Sequence, residues 1–412
     1  MTGEKKPKIF YGYIIIAIAC GIMALNMGAN RSFGVFLEPL LSEFGWTRAG
    51  VSGAFTLCML VEGLLAIVAG RITDRFGPRL VVIGCALFMG SGYLLMSQVS
   101  NTWQLYLFYG VLVGIGASGL ATPLTSLVAR WFVKRRSLMS GIFFASRSFG
   151  NMSIPLTASV LISAYGWRNS YLVVGSVLLG VIVTTALFLK RDPGQIGQTP
   201  YGVVEAKANG PDLQAEGLSL REALRTSQFW LLGTVSFCHL FLTNTLAVHL
   251  VIYAIGNGVQ PTVAASVFSV GAGVAVVGRV VMGSIADRVG NRRALIVAYS
   301  SAVFAFVLLM IARELWVFYL FAVIFGFGGW SGPAMMNPLT AELFGLRAHG
   351  TILACRSLGS SIGGALGPLL VGYLFDITGS YQLGLSVCIG IIIVTVVALA
   401  CLGPIRKGVP GS

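Results

Sequence analysis

Charge is scarce in this sequence. Of 412 residues only 10% are Asp, Glu, Lys or Arg, against 56% hydrophobic residues and 53 glycines. Soluble domains carry roughly 25% charged residues, so this chain cannot cover a water-facing surface of its size, and a membrane protein follows. Acidic residues are the scarcer kind: 14 Asp and Glu stand against 28 Lys and Arg, a net charge of +14. In a soluble protein that imbalance would suggest a polyanion partner; in a membrane protein it asks first which side of the bilayer the charges occupy, and no nucleic-acid partner is expected. The seven cysteines (Cys20, Cys58, Cys85, Cys238, Cys355, Cys388, Cys401) lie in apolar runs with no CxxC pair and no histidine at ligand spacing. That argues against a disulfide framework or a metal site and leaves small buried hydrophobes. A Walker loop, an HExxH helix and a nucleophile elbow are all missing, and no polar stretch is long enough for an ATPase domain. Primary active transport by this chain alone is thereby removed, enzymatic catalysis is disfavoured, and no cofactor is expected.

What the chain has in abundance is apolar runs of the roughly 20 residues that cross a bilayer. Twelve recur, over 12–37, 49–70, 79–98, 104–129, 138–163, 168–189, 229–256, 263–285, 293–312, 315–341, 350–373 and 382–403. The basic tail Lys5, Lys6, Lys8 resembles the start of a signal peptide. The run after it is too long for one and lacks an AxA-like cleavage site, so it is expected to stay as the first membrane helix. One long polar segment, rich in Pro and Gly, separates the sixth and seventh runs. The expected organisation is an all-α membrane protein of two six-helix bundles, 1–189 and 229–412, joined by a linker over 190–228. Residues 218–227 (LSLREALRTS) have the pattern of a short amphipathic helix on the membrane surface.

The two halves repeat each other. Gly70-Arg-Ile-Thr-Asp74-Arg75-Phe-Gly77 follows the second run, and Gly283-Ser-Ile-Ala-Asp287-Arg288-Val-Gly290 follows the eighth, 213 residues on. Ala145-Ser-Arg147-Ser-Phe-Gly150 in the fifth is matched by Ala354-Cys-Arg356-Ser-Leu-Gly359 in the eleventh, 209 residues on. Such repeats are common in secondary transporters. With the N-terminus placed in the cytoplasm, the loops on that side hold 21 Lys and Arg, and the opposite side holds only Arg48, Arg168 and Arg313. By the positive-inside rule both termini are cytoplasmic. Gly114-x-Gly116-x-x-Gly119 spells a dinucleotide fingerprint, but it sits within a membrane run with no preceding soluble strand, so close helix packing explains it.

The paired Gly-x-x-x-Asp-Arg-x-Gly loops, with the repeat around them, resemble the major facilitator superfamily over essentially the whole chain. The resemblance implies that Asp74, Arg75, Asp287 and Arg288 latch an inner gate, the Asp accepting hydrogen bonds from a helix end. Three further stretches are similar to the monocarboxylate transporter and oxalate:formate antiporter branch. They are Arg31-Ser-Phe-Gly34 to Phe44-Gly45-Trp46-Thr-Arg48, Trp131-Phe132-Val-Lys134-Arg135-Arg136, and His249-Leu-Val-Ile-Tyr253-Ala followed by Gly278-Arg279-Val-Val-Met-Gly283. The resemblance implies a bacterial inner membrane.

Ionisable groups inside the membrane runs are the most informative residues, because each costs about 2.5–3.5 kcal/mol on insertion scales unless it is paired or faces water. They are Arg31, Arg147, Arg279, Arg356 and Glu62. Four cations against one anion suit a cavity that recruits an anion, and the guanidinium fork suits a carboxylate. The resemblance assigns Arg279 to the substrate carboxylate, aligns Arg31 with a first-helix basic residue and Arg356 with an eleventh-helix lysine, and makes Arg147 the repeat counterpart of Arg356. Each arginine also admits a structural role, and Glu62 is a candidate counter-charge for Arg356. His249 is the obvious group that titrates near neutral pH, either as a proton carrier or as a histidine satisfied by a neighbour; Glu62 is the second candidate. The aspartate that precedes the eighth-helix arginine by four residues in animal monocarboxylate transporters is Ala275 here, which keeps exchange open. Asn26, Asn30, Asn244, Asn337 and Trp330 are candidate cavity residues, with packing between helices as the alternative for each. Pro333 and Pro338 are expected to bend the tenth helix.

The expected function is secondary transport of small organic anions by alternating access. Proton-coupled monocarboxylate symport is preferred, with carboxylate exchange, including dicarboxylates, as the alternative and a non-transporting anion receptor behind both. The expected partners are a small carboxylate, protons and the bilayer, with a monomer as the working unit.

Overall fold

The computed structural model describes residues 10–202 and 217–403. Lys5, Lys6, Lys8, Arg406, Lys407 and the middle of the linker lie outside them.

Membrane-length apolar runs fold as helices because a backbone in hydrocarbon must satisfy its own N–H and C=O groups. The helices are α1 (Gly12–Phe44), α2 (Arg48–Phe76), α3 (Pro78–Met96), α4 (Thr102–Trp131), α5 and α6 (together Arg136–Ala186), α7 (Ser227–Gly256), α8 (Pro261–Val289), α9 (Asn291–Met310), α10 (Leu315–Phe344), α11 (His349–Thr378) and α12 (Gln382–Cys401). Eleven continuous helical stretches are long and apolar enough to cross a membrane, and the 51-residue stretch is two helices because Gly166 breaks it with φ +78°. The protein is thus an all-α, twelve-helix, multi-pass membrane protein. Among the described residues there is no strand; two isolated bridges, Phe132 with Tyr201 and Gly217 with Gly345, are the whole of its β pairing.

The chain divides into two compact units: Met1–Lys134 with Ser146–Asp212, and Arg135–Ala145 with Leu213–Ser412. The first turns of α5 therefore group with the second unit. Arg135, the single non-glycine residue with positive φ (64°) among the described residues, sits where the chain passes from one to the other.

Repeated loops give repeated backbone geometry. The last glycine of each Asp-Arg loop ends one helix and opens the next, at φ +90° for Gly77 and +92° for Gly290, a conformation that residues with a Cβ avoid. The α4 and α10 helices are each interrupted near the middle of their length. The first breaks at Gly119 after a π-helical stretch, Tyr106–Val113, and the second through a 3-10 turn, Gly329–Ser331. The glycines of Gly114-x-Gly116 admit close neighbours: a Cβ on Gly114 would lie 2.9 Å from the Cys58 carbonyl oxygen of α2, and one on Gly116 2.4 Å from the Met89 backbone nitrogen of α3. Packing therefore accounts for the fingerprint-like spelling.

Each unit has an aromatic core. Phe36 stacks on Tyr171 (ring centroids 3.9 Å) and Phe33 lies against Tyr109 (4.2 Å) in the first; Phe306, Phe321, Phe325 and Trp330 cluster in the second. Large apolar side chains such as Leu64, Leu80, Val160, Trp316 and Leu369 are exposed, which a chain that meets lipid tolerates and a water-soluble one avoids in such number.

The two ends of the linker dock on the units. Tyr201 donates its N–H to the Trp131 carbonyl (3.0 Å) and packs its ring among Phe10, Tyr13 and Phe132; at the other end Leu218 N–H bonds the Phe344 carbonyl (2.9 Å). The amphipathic segment forms only the short helix Leu220–Leu224, closed by a Ser219/Glu222 capping box. Its Ala223 is buried in the core of the second unit, and Leu218, Leu220 and Leu224 pack against that core.

At the C-terminal end of α1, Glu43 accepts from the Arg168 guanidinium and from Trp167 Nε1 (2.7 Å), and Arg168 lies 4.3 Å over the Trp167 ring. Arg168 foremost, then Trp167, holds the Glu43 carboxyl below its ordinary value. A carboxyl held down in the folded state contributes stability above its unfolded value of about 4.3 and loses that contribution as pH falls. The melting temperature of the solubilised protein should accordingly fall more steeply between about pH 5 and pH 3 than that of Glu43→Gln; parallel profiles would refute the assignment.

Candidate functional site

Each unit carries its own group of membrane charges. In the first, Arg31 of α1, Glu62 of α2 and Arg147 of α5 act on one another electrostatically, Glu62 feeling Arg147 more than Arg31. No hydrogen bond or ion pair joins any two of them, and Glu62 and Arg147 are half-buried while Arg31 is exposed. Three long side chains thus converge without neutralising each other by contact.

In the second unit the arginines are held by oxygen atoms of the protein. Arg279 on α8 is half-buried; its Nε donates to the Trp330 carbonyl (3.3 Å) and its Nη1 to the Phe144 carbonyl (3.3 Å). The Trp330 carbonyl belongs to the 3-10 turn that interrupts α10, so the break in that helix is what positions the guanidinium. Arg356 on α11 donates to three acceptors on one turn of α10: the Met336 carbonyl (3.1 Å), Thr340 Oγ1 (2.9 Å) and Asn337 Oδ1. Asn337 therefore acts on Arg356.

Trp330 is buried, with its ring edge-on to Phe268 and Phe325, and its Nε1 has no hydrogen-bond partner among the described residues. A buried unpaired N–H costs about 1–3 kcal/mol. It is therefore an informative group beside the Arg279 anchor. Asn26 is in the same position on α1, fully buried with neither amide atom bonded, while Asn30 is half-buried and its backbone carbonyl accepts from Tyr109 Oη at 3.4 Å.

Asn244 and His249 have work to do within the helix pair α7 and α11. Pro368 has no N–H, so the Gly364 carbonyl one turn earlier lacks its helical partner, and Asn244 Nδ2 donates to it (3.0 Å). His249 has both ring nitrogens engaged, Nε2 with the Pro368 carbonyl (2.9 Å) and Nδ1 with the Tyr381 hydroxyl (3.2 Å). In the arrangement that satisfies both, Nε2–H donates to the carbonyl and Tyr381 O–H donates to Nδ1. Two polar side chains of α7 thereby clamp the proline kink of α11.

Around the second Asp-Arg loop lies a polar network. The Asp287 carboxylate accepts from the backbone N–H groups of Ser137 and Leu138 (2.9 Å each), the first turn of α5, where helix N–H groups have no internal partner. Ser137 Oγ donates to Asn291 Oδ1 (2.8 Å), Asn291 Nδ2 donates to Glu342 Oε1 (2.7 Å), and the buried Arg136 interacts with Glu342 and Asp287. Asn291 and Glu342 stand in no pattern that singles them out, and Arg136 stands in the Trp131 to Arg136 segment without an assigned role; only α5, α9 and α10 meeting shows what the three do. In the first loop, the Asp74 carbonyl accepts from Arg191 (2.8 Å) and Arg75 lies over the Phe76 ring at 5.1 Å, while Arg288 is exposed. No cluster of metal-ligating side chains occurs among the described residues.

The chain matches the family model "Major Facilitator Superfamily" over residues 16–332. Monocarboxylate transporter 13 of Bos taurus is 30% identical over 384 residues, covering 92% of this chain and 86% of that protein. The oxalate:formate antiporter of Oxalobacter formigenes is 26% identical over 380 residues, covering 90% and 87%. Among solved structures, the E. coli fucose:proton symporter superposes with a TM-score of 0.73 at 14% identity, covering 95% of this chain and 99% of that one. The human organic anion transporter MFSD10 gives 0.70 at 17%, covering 96% and 100%. These relatives are transporters, not enzymes. Family model, relatives and fold agree: the chain belongs to the major facilitator superfamily, in the branch that holds the monocarboxylate transporters and the oxalate:formate antiporter.

Proposed function

We propose that this protein is a secondary active transporter of small organic anions, with proton-coupled symport of a monocarboxylate as its reaction. The observation that carries the reading is the excess of arginine inside the membrane, four guanidinium groups against Glu62 alone, with Arg279 fixed through the backbone of a broken helix. A carboxylate meeting Arg279 forms charge-assisted hydrogen bonds with its guanidinium, and Trp330 Nε1–H is a further donor of the right polarity. Arg31 and Arg147 with Asn30 are the candidate anion-binding group of the first unit, and Arg356 with Asn337 joins Arg279 as that of the second. Asn244 and His249 are better read as the brace of the α11 kink, which leaves Glu62 as the proton carrier of the first unit. When Glu62 is ionised it tempers Arg147 and Arg31; when it takes a proton, both cations become available to an anion, so proton and carboxylate favour each other's binding. Asp74, Arg75, Asp287 and Arg288 serve as the latches of the inner gate, Asp287 through the first turn of α5. The excess of basic loop residues on one side supports cytoplasmic termini, and the protein is taken as a monomer in a bacterial inner membrane.

Carboxylate exchange is the second reading. The relative that exchanges oxalate and formate favours it, as does the second pair of arginines, which suits a dianion.

Charge-assisted bonds to a carboxylate contribute about 1.5–3 kcal/mol each, so Arg279→Ala should weaken L-lactate, pyruvate or formate uptake into proteoliposomes by about 10- to 100-fold. Arg279→Lys should recover part of it. Full uptake of every carboxylate by Arg279→Ala would remove the site. In Glu62→Gln, uptake driven by a proton gradient should be lost while counterflow between equal carboxylate pools persists. Gradient-driven uptake that survives the substitution would exclude Glu62 as carrier, and wild-type counterflow indifferent to pH would select exchange. Replacing Asp287 by Ala leaves two helix N–H groups without an acceptor, about 1–3 kcal/mol, and should lower the melting temperature and the rate of transport. Unchanged values of both would release Asp287 from the latch.

A further inference from the structure

Helix α7 carries another histidine, His239, which no sequence pattern singles out. It is 7% exposed, and its Nδ1 lies 3.0 Å from the Tyr299 hydroxyl of α9. That hydroxyl also faces Met336 Sδ of α10 at 3.9 Å. Tyr299 thus has two acceptors to choose from, an imidazole nitrogen and a weakly accepting thioether. Gly332, at the start of α10 beyond its break, makes the room: a Cβ there would lie 2.9 Å from the Tyr299 hydroxyl and 3.1 Å from His239 Nδ1.

Tyr299 also interacts electrostatically with Arg356 of α11, and Arg356 is anchored at Met336, Asn337 and Thr340, the same turn of α10. The other ionisable group acting on Tyr299 is the Cys238 thiol, and α12 contributes the uncharged Thr395 hydroxyl beside Cys238. Neither group acting on Tyr299 is a carboxylate. Three helices, α7, α9 and α11, therefore bring a histidine, a tyrosine and an arginine to one stretch of α10.

We propose that His239 is a proton-binding site coupled through Tyr299 to anion binding at Arg356. With the ring neutral, Tyr299 O–H donates to Nδ1. When Nδ1 takes a proton from water, the new N–H donates to the Tyr299 oxygen, and the hydroxyl hydrogen turns to Met336 Sδ. The positive charge gained lies across Tyr299 from the Arg356 guanidinium. Like charges disfavour one another, and a carboxylate arriving at Arg356 relieves the repulsion. Proton and carboxylate then raise each other's affinity by one and the same factor, as linkage demands. The coupling rests on the carboxylate reading above and gives the second unit a proton site of its own, separate from Glu62.

The chain has three histidines, so full-length protein in lipid nanodiscs, labelled with 15N in the imidazole rings, offers three pairs of ring signals. They are assigned by loss in His239→Gln or, should that variant not fold, by elimination with His249→Gln and His349→Gln. The His239 signal of the wild-type protein should titrate between about pH 5 and pH 8, with a midpoint that Tyr299→Phe displaces. Saturating L-lactate should raise that midpoint by about 0.7 pH units, the fivefold effect at the lower end of allosteric coupling, and Arg356→Gln should abolish the rise. A His239 that does not titrate in that range overturns the proton site. A midpoint that ignores L-lactate, in protein whose melting temperature L-lactate raises, overturns the coupling. If L-lactate, pyruvate, formate and oxalate all leave the wild-type melting temperature unchanged, the carboxylate reading fails and the coupling with it; the titration and its response to Tyr299→Phe still decide the proton site.

Discussion

A charge inside a bilayer must be answered by something, and that requirement organises this protein. Arg356 is met by three oxygen atoms on one turn of α10. Arg279 is met by two backbone carbonyls, one of them in a helix break. Arg31, Arg147 and Glu62 share a field without touching. The two units treat their embedded arginines, of which Arg147 and Arg356 are repeat-related, in different ways: one binds its arginines to fixed dipoles, the other balances them against an ionisable carboxylate.

Helix breaks are the means by which the fold supplies those dipoles. A continuous helix consumes its own carbonyls, and only a turn, a proline or a terminus releases them. The 3-10 turn Gly329–Ser331 offers a carbonyl to Arg279; Pro368 releases the Gly364 carbonyl for Asn244, and its own carbonyl accepts from His249; the first turn of α5 offers two N–H groups to Asp287. The 3-10 turn Gly329–Ser331 is itself buried in protein, which is what lets irregular backbone exist within a membrane helix. The residues that bend the helices and the residues that bear the charges are therefore parts of one device.

The two histidines of α7 show how far pattern reading reaches. His249 stands in a recognisable segment and invites a proton-carrying role, yet its surroundings are a proline carbonyl and a tyrosine hydroxyl that use both ring nitrogens. His239 stands in no motif, and its surroundings are Tyr299 and, beyond it, Arg356, contributed by helices 60 residues and more away along the chain. Likewise Glu342 and Asn291 acquire meaning only where α9 and α10 meet the start of α5. A side chain's identity is local, but its electrostatic setting is made by whichever helices pack against it.

Sequence alone determined the number of membrane crossings, the repeat, the topological charge bias and the list of embedded charges. All follow from composition and spacing against a fixed bilayer thickness. The 51-residue stretch through Gly166 still resolves into two crossings, because a glycine there can take the φ that ends a helix. Only the tertiary structure decided which polar atoms answer which charge. Those pairings depend on where a helix breaks and which face it turns to its neighbours, and hydropathy, being nearly uniform around a membrane helix, carries little record of either.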